Sequence, residues 1–249
     1  MKDTRSVSPA TTGSTVECDV VFIVREHPAR DELQYALRSL INVPHDTVWL
    51  IGGKPDWVRN VQHVPFPDGN KWKNISDKFK SLATLDGLSE EFIYTEDDYY
   101  ILRPLDRLPS LSRPRSLNAY VESRIRRKPP PNEWTSYLKN TRDALHAAGI
   151  ADPVSFDVHV PMYVHKSEIP LHWDPGVPVS WRSMCGNFDG RDHQPMAADV
   201  KVRSRKKLRR AVATGFLSSK ETTFKRSGIE KYLDALLPDF SPYEKESGP

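Results

Sequence analysis

The sequence predicts an α/β fold in which helices cover a mostly parallel sheet. The first observation is that short, β-branched apolar runs alternate with amphipathic segments over the first hundred residues. The second is that the chain has 249 residues, of which 38% are apolar, which suits one large domain better than two small ones. In such a sheet, ligands bind where the strands end at their carboxyl termini.

The first half of the chain supplies the strands that would form this sheet. The predicted strands are residues 19–27 (DVVFIVREH), 47–53 (TVWLIGG), 61–67 (VQHVPFP) and 91–102 (EFIYTEDDYYIL). Apolar residues at helical spacing predict one helix over residues 33–41 and another from residue 75 to the stop signal Gly87. The second helix carries a polar stripe that includes Asn74 and Lys78.

The second half is more basic and less regular. Residues 124–131 (RIRRKPPP) predict a basic, proline-stiffened loop, and a helix is expected from Asn132 to Gly149. Residues 155–166 (SFDVHVPMYVHK) alternate as a strand does, with Pro161 placing it at an edge or kinking it. The basic run 200–212 (VKVRSRKKLRRAV) predicts a basic helical region, and a Ser227/Glu230 capping box predicts the last helix. No internal repeat is found.

The domain limits and the cellular setting follow from composition. We expect residues 1–17 and 241–249 to be loose tails around a single domain spanning residues 18–240. The net charge is only +3, but the basic residues are clustered, which suggests a polyanionic partner. Cys18 and Cys185 lack the spacing of a metal or redox motif, so free thiols in a reduced cytoplasm are expected. No apolar run is long enough to cross a bilayer or to act as a signal peptide, so no membrane partner is expected.

Three adjacent acids, Glu96, Asp97 and Asp98, interrupt an apolar strand. Adjacent carboxylates repel one another unless a cation is present, and Mg²⁺ or Mn²⁺ prefers such oxygen ligands while leaving positions open for phosphates. In a continuous strand, Glu96 and Asp98 would share one face. The alternative is a solvated turn whose acids cap the start of a helix.

A resemblance to a known family adds to this interpretation. It rests on five segments in order between residues 19 and 200: REHPARDELQYALRSL, VWLIGGKPDWV, LDGLSEEFIYTEDDYYILRPL, FDVHVPMYVHK and SWRSMCGN. Together they resemble phage and bacterial glycosyltransferases related to the Stealth sugar-phosphate transferases, and in particular the TET-associated glycosyltransferase family of bacterial viruses. Stealth proteins usually carry Asn-Asp-Asp where this chain has Glu96, so Asp98 is the main expected metal ligand, assisted by Glu96 or Asp97.

The resemblance implies a GT-A-like fold that binds a nucleotide sugar, such as a UDP-sugar, through Mn²⁺ or Mg²⁺. Residues 18–104 would form the nucleotide-binding half and residues 105–240 the acceptor half, and a viral protein would act in the host cytoplasm. The residues expected to bind the donor are Arg25, Gly52, Gly53, Asn74 and Lys78. Lys78 could equally lie on a solvated helix face, and the two glycines could form an ordinary turn.

Glycosyl transfer also needs a base for the acceptor hydroxyl and a surface for the acceptor. We expect Asp157 to be the base, with His159 second; His159 could instead complete the metal shell, or both could be a polar strand edge. The residues expected to bind the acceptor are Trp173, Trp181, Asn187, Arg126, Arg127, Arg205 and Lys206. The tryptophans could instead be buried core, and the basic runs could be solvated faces.

The basic clusters favour double-stranded DNA as the acceptor, specifically 5-hydroxymethylcytosine in phage DNA. The alternatives are a transferase of sugar or sugar phosphate that acts on a protein or cell-surface glycan, and a DNA-binding module that has lost catalysis. The sugar, the stereochemistry and the oligomeric state do not follow from the sequence.

Overall fold

The computed structural model describes residues 18–28, 30–127, 132–172 and 177–245. The strands are β1 Asp19–Ile23, β2 Val48–Gly52, β3 Gln62–Pro65, β4 Glu91–Thr95, β5 Tyr99–Ile101, β6 Leu111–Ser112, β7 Met162–His165, β8 Gln194–Pro195 and β9 Phe216–Ser218. The α-helices are α1 Arg30–Arg38, α2 Lys71–Ser81, α3 Leu117–Arg127, α4 Glu133–Ala147, α5 Trp181–Phe188, α6 Arg205–Val212 and α7 Ile229–Leu236. Within these ranges, no helix is both long and apolar enough to span a bilayer.

A five-stranded sheet in the order β3-β2-β1-β4-β7 forms the centre of the protein. Its first four strands are parallel, and β7 runs antiparallel to β4 at the edge. Because side chains alternate along a strand, β1 contributes to two cores: Val20 and Phe22 pack with Leu33 of α1, while Val21 and Ile23 face the opposite side. The predicted α/β fold with a mostly parallel, helix-covered sheet is confirmed.

The apolar run that contains the acids is not one strand. β4 ends at Thr95, the chain turns at Asp97 and Asp98, and β5 pairs with β9 in a separate two-stranded sheet. The turn is closed by the backbone N–H of Tyr99, which donates to the Glu96 carbonyl at 3.2 Å. The prediction that Glu96 and Asp98 share one strand face is therefore wrong. Because β5 pairs with β9 outside the central sheet, the chain has to leave that sheet after Thr95.

Residues 155–161 also differ from the predicted strand. Only Met162–His165 forms β7, which begins directly after Pro161 and lies at the sheet edge as that proline predicts. Asp157 and Val158, which the alternation places on opposite faces, are both buried. The segment before Pro161 is irregular because it is enclosed on both sides by other parts of the chain.

Two predicted boundaries in the basic half are wrong for local reasons. Arg124, Arg126 and Arg127 lie in the last turn of α3 rather than in a loop, where positive charge suits the negative end of the helix; residues 128–131 lie outside the described residues. Ser227 does not cap α7, because Gly228 holds that position with φ of 81° and the Ser227 hydroxyl donates to the Phe224 carbonyl.

The segment 241–245 is packed, which contradicts its prediction as a tail. Glu244 is buried and accepts from Arg38 of α1, with 2.8 Å between Arg38 Nε and Glu244 Oε1. The same carboxylate accepts from the backbone N–H of Ser241 at 2.9 Å. This ion pair fixes the end of the described chain to α1, while residues 1–17 and 246–249 lie outside the described residues.

Candidate active site

A cleft of about 450 Å³ opens where β1 and β4 end at their carboxyl termini. We call it the acidic cleft. Its carboxylates are those of Glu32, Asp68, Glu96, Asp97, Asp98 and Glu221, and its cations are those of Arg25, Lys71, Lys78, Lys201 and Lys220. The strand-end rule for parallel sheets places the predicted acids and the predicted Arg25, Asn74 and Lys78 together here.

Asp98 is the most buried acid of the predicted triplet. Lys201 donates from Nζ to Asp98 Oδ2 at 2.9 Å, whereas Asp98 Oδ1 is buried and has no hydrogen-bond partner. Burial raises the pKa of Asp98 to about 6 even though Lys201 acts in the opposite direction. One oxygen of the carboxylate is thus held by a lysine, while the other is buried without a partner.

Asp97 and Glu32 add further negative charge near Asp98. Burial, followed by the charges of Asp98, Glu32 and Glu96, raises the pKa of Asp97 above its usual range. Glu32 of α1 is buried as well, and burial raises its pKa to about 7 although the Ser219 hydroxyl donates to it. These acids disfavour one another's ionised forms because they share a site with little solvent.

Glu96 is fixed by a tyrosine that lines the cleft: the Tyr94 hydroxyl donates to Glu96 Oε1 at 3.0 Å. Tyr99 lies near the same carboxylate, whose negative charge helps burial to raise the pKa of Tyr99. The Tyr99 hydroxyl lies 3.5 Å from His159 Nδ1, at the limit of a hydrogen bond. Tyr99 therefore lies between the acidic cleft and the predicted His159.

The acidic cleft fits a divalent cation. Asp98 Oδ1 is a buried carboxylate oxygen without a partner, a costly arrangement that a metal ion would relieve. Asp97 is half-buried beside it, and all of these potential ligands are the hard oxygen atoms that Mg²⁺ and Mn²⁺ prefer. Asp97 and Asp98 are the residues placed to hold the ion, while Tyr94 already engages Glu96.

The cations of the cleft differ in how free they are. Lys78 is fully buried and donates to the Val24 carbonyl at 2.7 Å and to Asp68 at 3.3 Å, so it is not on a solvated helix face. Arg25 is half-exposed and pairs with Glu221 at 3.1 Å. Arg25 can therefore turn toward a ligand at little cost, since exposed ion pairs are weak, whereas Lys78 anchors α2 to the end of β1.

Gly52 and Gly53 do not line the cleft. A β-carbon on Gly53 would lie 1.7 Å from the Glu26 carbonyl oxygen, and one on Gly52, where φ is +133°, would lie 2.2 Å from that of Val24. The two glycines are needed because the chain after β2 passes against the backbone after β1. Their close approach is to protein backbone, and the predicted contact with a donor finds no support.

Both oxygens of the Asp157 carboxylate already accept hydrogen bonds, so Asp157 is no longer the preferred base. Ser180 donates to Oδ1 at 2.6 Å and Ser183 donates to Oδ2 at 2.8 Å, and the residue does not line the acidic cleft. Ser180 also caps the amino terminus of α5. The carboxylate joins the 155–161 segment to α5, which is a structural role.

We expect Asp157→Asn to lower the free energy of unfolding by about 1–3 kcal/mol, because the amide nitrogen cannot accept from either serine. Urea denaturation measures this loss, and exposed Asp152→Asn is the matched control. Per folded molecule, donor hydrolysis should stay within about twofold, since ordinary surface effects are of that size. A large loss of hydrolysis at unchanged stability would restore Asp157 as the base.

Most of the residues predicted to bind the acceptor have other roles or lie elsewhere. Trp181 is buried core, stacked on Phe79 with ring centroids 4.3 Å apart. Asn187 uses its whole amide on the chain, accepting from Val154 N and donating to the Val154 and Ser183 carbonyls. Trp173 lies outside the described residues. The basic residues Arg126, Arg127, Arg205 and Lys206 are exposed on α3 and α6 and do not line the acidic cleft.

Within the described residues, three metal-ligating side chains approach one another closely beyond the end of β7, and not in the acidic cleft. His165, Glu168 and Asp189 bring three potential ligand atoms within 4.8 Å of one another. Arg191 already occupies this position, 2.6 Å from His165 Nε2 and 2.8 Å from Asp189 Oδ1. The guanidinium supplies the positive charge here, so the acidic cleft is the better candidate for a metal.

Comparisons with known proteins add little to this geometry. No protein-family model matches the chain, and no curated protein matches it. Among solved structures, the glycosyltransferase GlyE of Streptococcus pneumoniae TIGR4 is similar at 10% sequence identity and a TM-score of 0.32, over 92% of this chain and 55% of that one. This chain thus spans about half the length of GlyE, and so distant a similarity assigns no family.

Proposed function

We propose that the protein is a glycosyltransferase that binds a nucleoside diphosphate sugar in the acidic cleft through Mn²⁺ or Mg²⁺. The observation that carries the proposal is the buried, unpartnered Asp98 Oδ1 beside half-buried Asp97, in a cleft that also holds five cations. Carboxylates suit the ion, and the lysines and Arg25 suit the phosphate oxygens around it. A sugar diphosphate offers both partners in one molecule.

In this reaction an acceptor hydroxyl oxygen forms a bond to the anomeric carbon, and the bond from that carbon to the diphosphate oxygen breaks. The electron pair of the broken bond stays on the diphosphate, and a bound divalent cation supplies Lewis-acid stabilisation of that charge. Lys201 and Arg25 add positive charge to the lining of the cleft. The acceptor proton passes to a base, for which we propose His159, since Asp157 is fully hydrogen bonded.

The experiment that tests the proposal measures cation-dependent donor binding and hydrolysis. Purified protein is titrated by calorimetry with UDP-sugars and other nucleoside diphosphate sugars, with Mn²⁺ and with the ion removed by chelation. We expect binding and slow release of the free nucleoside diphosphate only when the ion is present. Absence of any donor binding would contradict the proposal and favour the alternative of a non-catalytic DNA-binding module.

For the acceptor we propose 5-hydroxymethylcytosine in double-stranded DNA, because the basic residues are clustered. Exposed Arg126, Arg127, Arg205 and Lys206 support it, since side chains of this kind bind phosphates without reading sequence. Incubation of hydroxymethylated DNA with donors, followed by mass spectrometry of the nucleosides, is expected to show the mass of one added sugar. Transfer to a glycan or protein with none to DNA would favour the other acceptor class.

Neutralising Arg205 and Lys206 with glutamine is expected to weaken DNA modification without changing donor hydrolysis. For every DNA phosphate that the variant no longer neutralises, the slope of log affinity against log salt should become shallower by about 0.9. Lys231→Gln, an exposed charge on α7, serves as the control. Equal losses of modification and hydrolysis would show that α6 supports the fold instead of contacting DNA.

A further inference from the structure

A second pocket, of about 250 Å³, lies beside the acidic cleft. We call it the His159 pocket; its lining includes Arg113, Val158, His159, Met196, Asp199 and Val200. Val158, Met196 and Val200 are buried and give it an apolar floor. Its polar groups are therefore few, which is the usual composition of a small-ligand site.

The His159 pocket is adjacent to the acidic cleft along two paths. Lys201, which lines the cleft and pairs with Asp98, directly follows Asp199 and Val200, which line the pocket. Tyr99 lies near Glu96 of the cleft, whose charge acts on it, and the Tyr99 hydroxyl lies 3.5 Å from His159 Nδ1. A molecule in this pocket would thus lie next to a donor in the cleft.

The lining of the pocket holds one cation, Arg113, and one exposed acid, Asp199, while Arg182 and Arg203 lie outside the lining. Within the described part of the chain, the ion pairs to carboxylates do not involve Arg113. The carboxylate of the described lining residues is that of Asp199, which accepts from the backbone N–H of Lys201 at 3.0 Å. After burial, the charges of Lys201, Arg182, Arg113 and Arg203 hold the pKa of His159 well below its usual range, so the imidazole is neutral.

Two of these arginines have unused donors. Arg113 Nε is buried without a hydrogen-bond partner. Arg182 is 5% exposed and donates to the carbonyls of Phe156 and Val160 at 3.0 and 2.6 Å, yet its Nη1 has no partner. Both guanidiniums lie over aromatic rings, Arg113 over Tyr120 and Arg182 over Trp181. Arg113 lines the pocket and Arg182 does not, so an anion in the pocket would offset the cost of the unpartnered Arg113 donor.

We propose that the His159 pocket binds the acceptor and recognises a phosphate-like oxyanion that lies next to the hydroxyl to be glycosylated, with Arg113 as its main contact. The identification of the bound molecule as the acceptor rests on the proposed function, whereas the binding of an anion does not. His159 lies in the same pocket, and a bound oxyanion would offset the positive charges that hold its pKa low.

The test uses sulfate as the probe and the His159 ring as the reporter. Protein labelled with ¹³C-histidine is titrated with sodium sulfate at constant pH and ionic strength, without divalent cations, and His159→Gln identifies the His159 resonance. We expect a saturable shift of that resonance, and about tenfold weaker binding in Arg113→Gln, because a charge-assisted hydrogen bond is removed. Exposed Arg115→Gln is the matched control and should bind sulfate as the unmodified chain does.

The outcomes separate this inference from the proposed function. No saturable shift, or the same affinity in Arg113→Gln and Arg115→Gln, overturns the inference, and retained Mn²⁺-dependent donor binding in Arg113→Gln shows that the variant is folded. Loss of donor binding in the unmodified chain with sulfate binding intact overturns only the glycosyltransferase proposal. Titrations with a nucleoside monophosphate and with a sugar phosphate then show whether the oxyanion belongs to a nucleic acid or to a glycan. If neither compound binds, the inference is wrong.

Discussion

Asp98→Asn is expected to abolish cation-dependent donor binding and to reduce donor hydrolysis by at least about 100-fold. The carboxamide keeps the shape of the side chain but removes the charge of a residue that lines the cleft and has a buried, unpartnered oxygen. A change around a bound metal typically costs about 10–100-fold, and loss of stabilisation at a developing charge costs about 100–1,000-fold. Calorimetry with Mn²⁺ and a UDP-sugar, and release of UDP, measure the two losses.

The stability of this variant distinguishes a missing ligand from a disrupted fold. Asparagine removes a buried carboxyl group whose pKa is raised, and this change favours folding. It also leaves Lys201 without its ion-pair partner, and this change disfavours folding. We therefore expect only a small change in the free energy of unfolding without cation. Asp77→Asn is the matched control, because Asp77 lies on α2 with an exposed partner, Lys73. Unchanged cation affinity in Asp98→Asn would remove the basis of the proposed function.

The first half of the fold could be predicted from sequence because its signals are local. β1, β2 and β4 are short runs in which nearly every side chain is buried, and helix α2 shows its buried face through the spacing of its apolar residues. The strand-end rule then places Arg25 and the acids in one cleft without further information. The exit of the chain after Thr95 does not follow from the sequence, because Tyr99–Ile101 is as apolar as β4 and pairs with a distant strand.

The residues that sequence reasoning missed are those placed by distant contacts. The sequence around Glu32 indicates only an ordinary acid at the start of a helix. Its hydrogen-bond partner, Ser219, lies 187 residues away in the chain. Lys201 reads as one member of a basic run, whereas it pairs with Asp98 across 103 residues. The position of Lys201 at the start of that run offers a weak signal, since Val200 and Val202 on either side of it are apolar and buried.

The opposite error arises for polar residues that the fold uses internally. Asp157 and Asn187 belong to the types that serve as bases or ligands, but their partners are hydroxyls and backbone groups up to 33 residues away. A sequence shows that a polar group is present and not whether it is satisfied. Only the hydrogen-bond partners distinguish the unpartnered Asp98 Oδ1 from the fully used Asp157.

Without divalent cation, the folded protein is expected to lose stability as the pH rises from about 4.5 to about 7, with Glu32 alone contributing about 3 kcal/mol. In the unfolded chain Glu32 ionises near pH 4.5, while burial, followed by the charge of Asp98, raises its pKa in the folded state to about 7. In this window the unfolded state binds fewer protons, so the free energy of unfolding falls with pH. The contribution of Glu32 levels off above its folded-state pKa of about 7. Urea denaturation at pH 5, 6, 7 and 8 measures the fall.

Two comparisons assign the effect to Glu32 and to the cation. Glu32→Gln should reduce the decrease in the free energy of unfolding by about 3 kcal/mol, because its amide stays neutral throughout. Asp31→Asn, on the same turn of α1, should leave this decrease unchanged, since Asp31 is partly exposed and paired with Lys225. Saturating Mn²⁺ should reverse much of the fall above pH 7, because the ion binds only the ionised, folded cleft. A rise in stability from pH 5 to 7, with no response to Mn²⁺, would mean that the chain itself already compensates these acids, and the cleft would then need no metal.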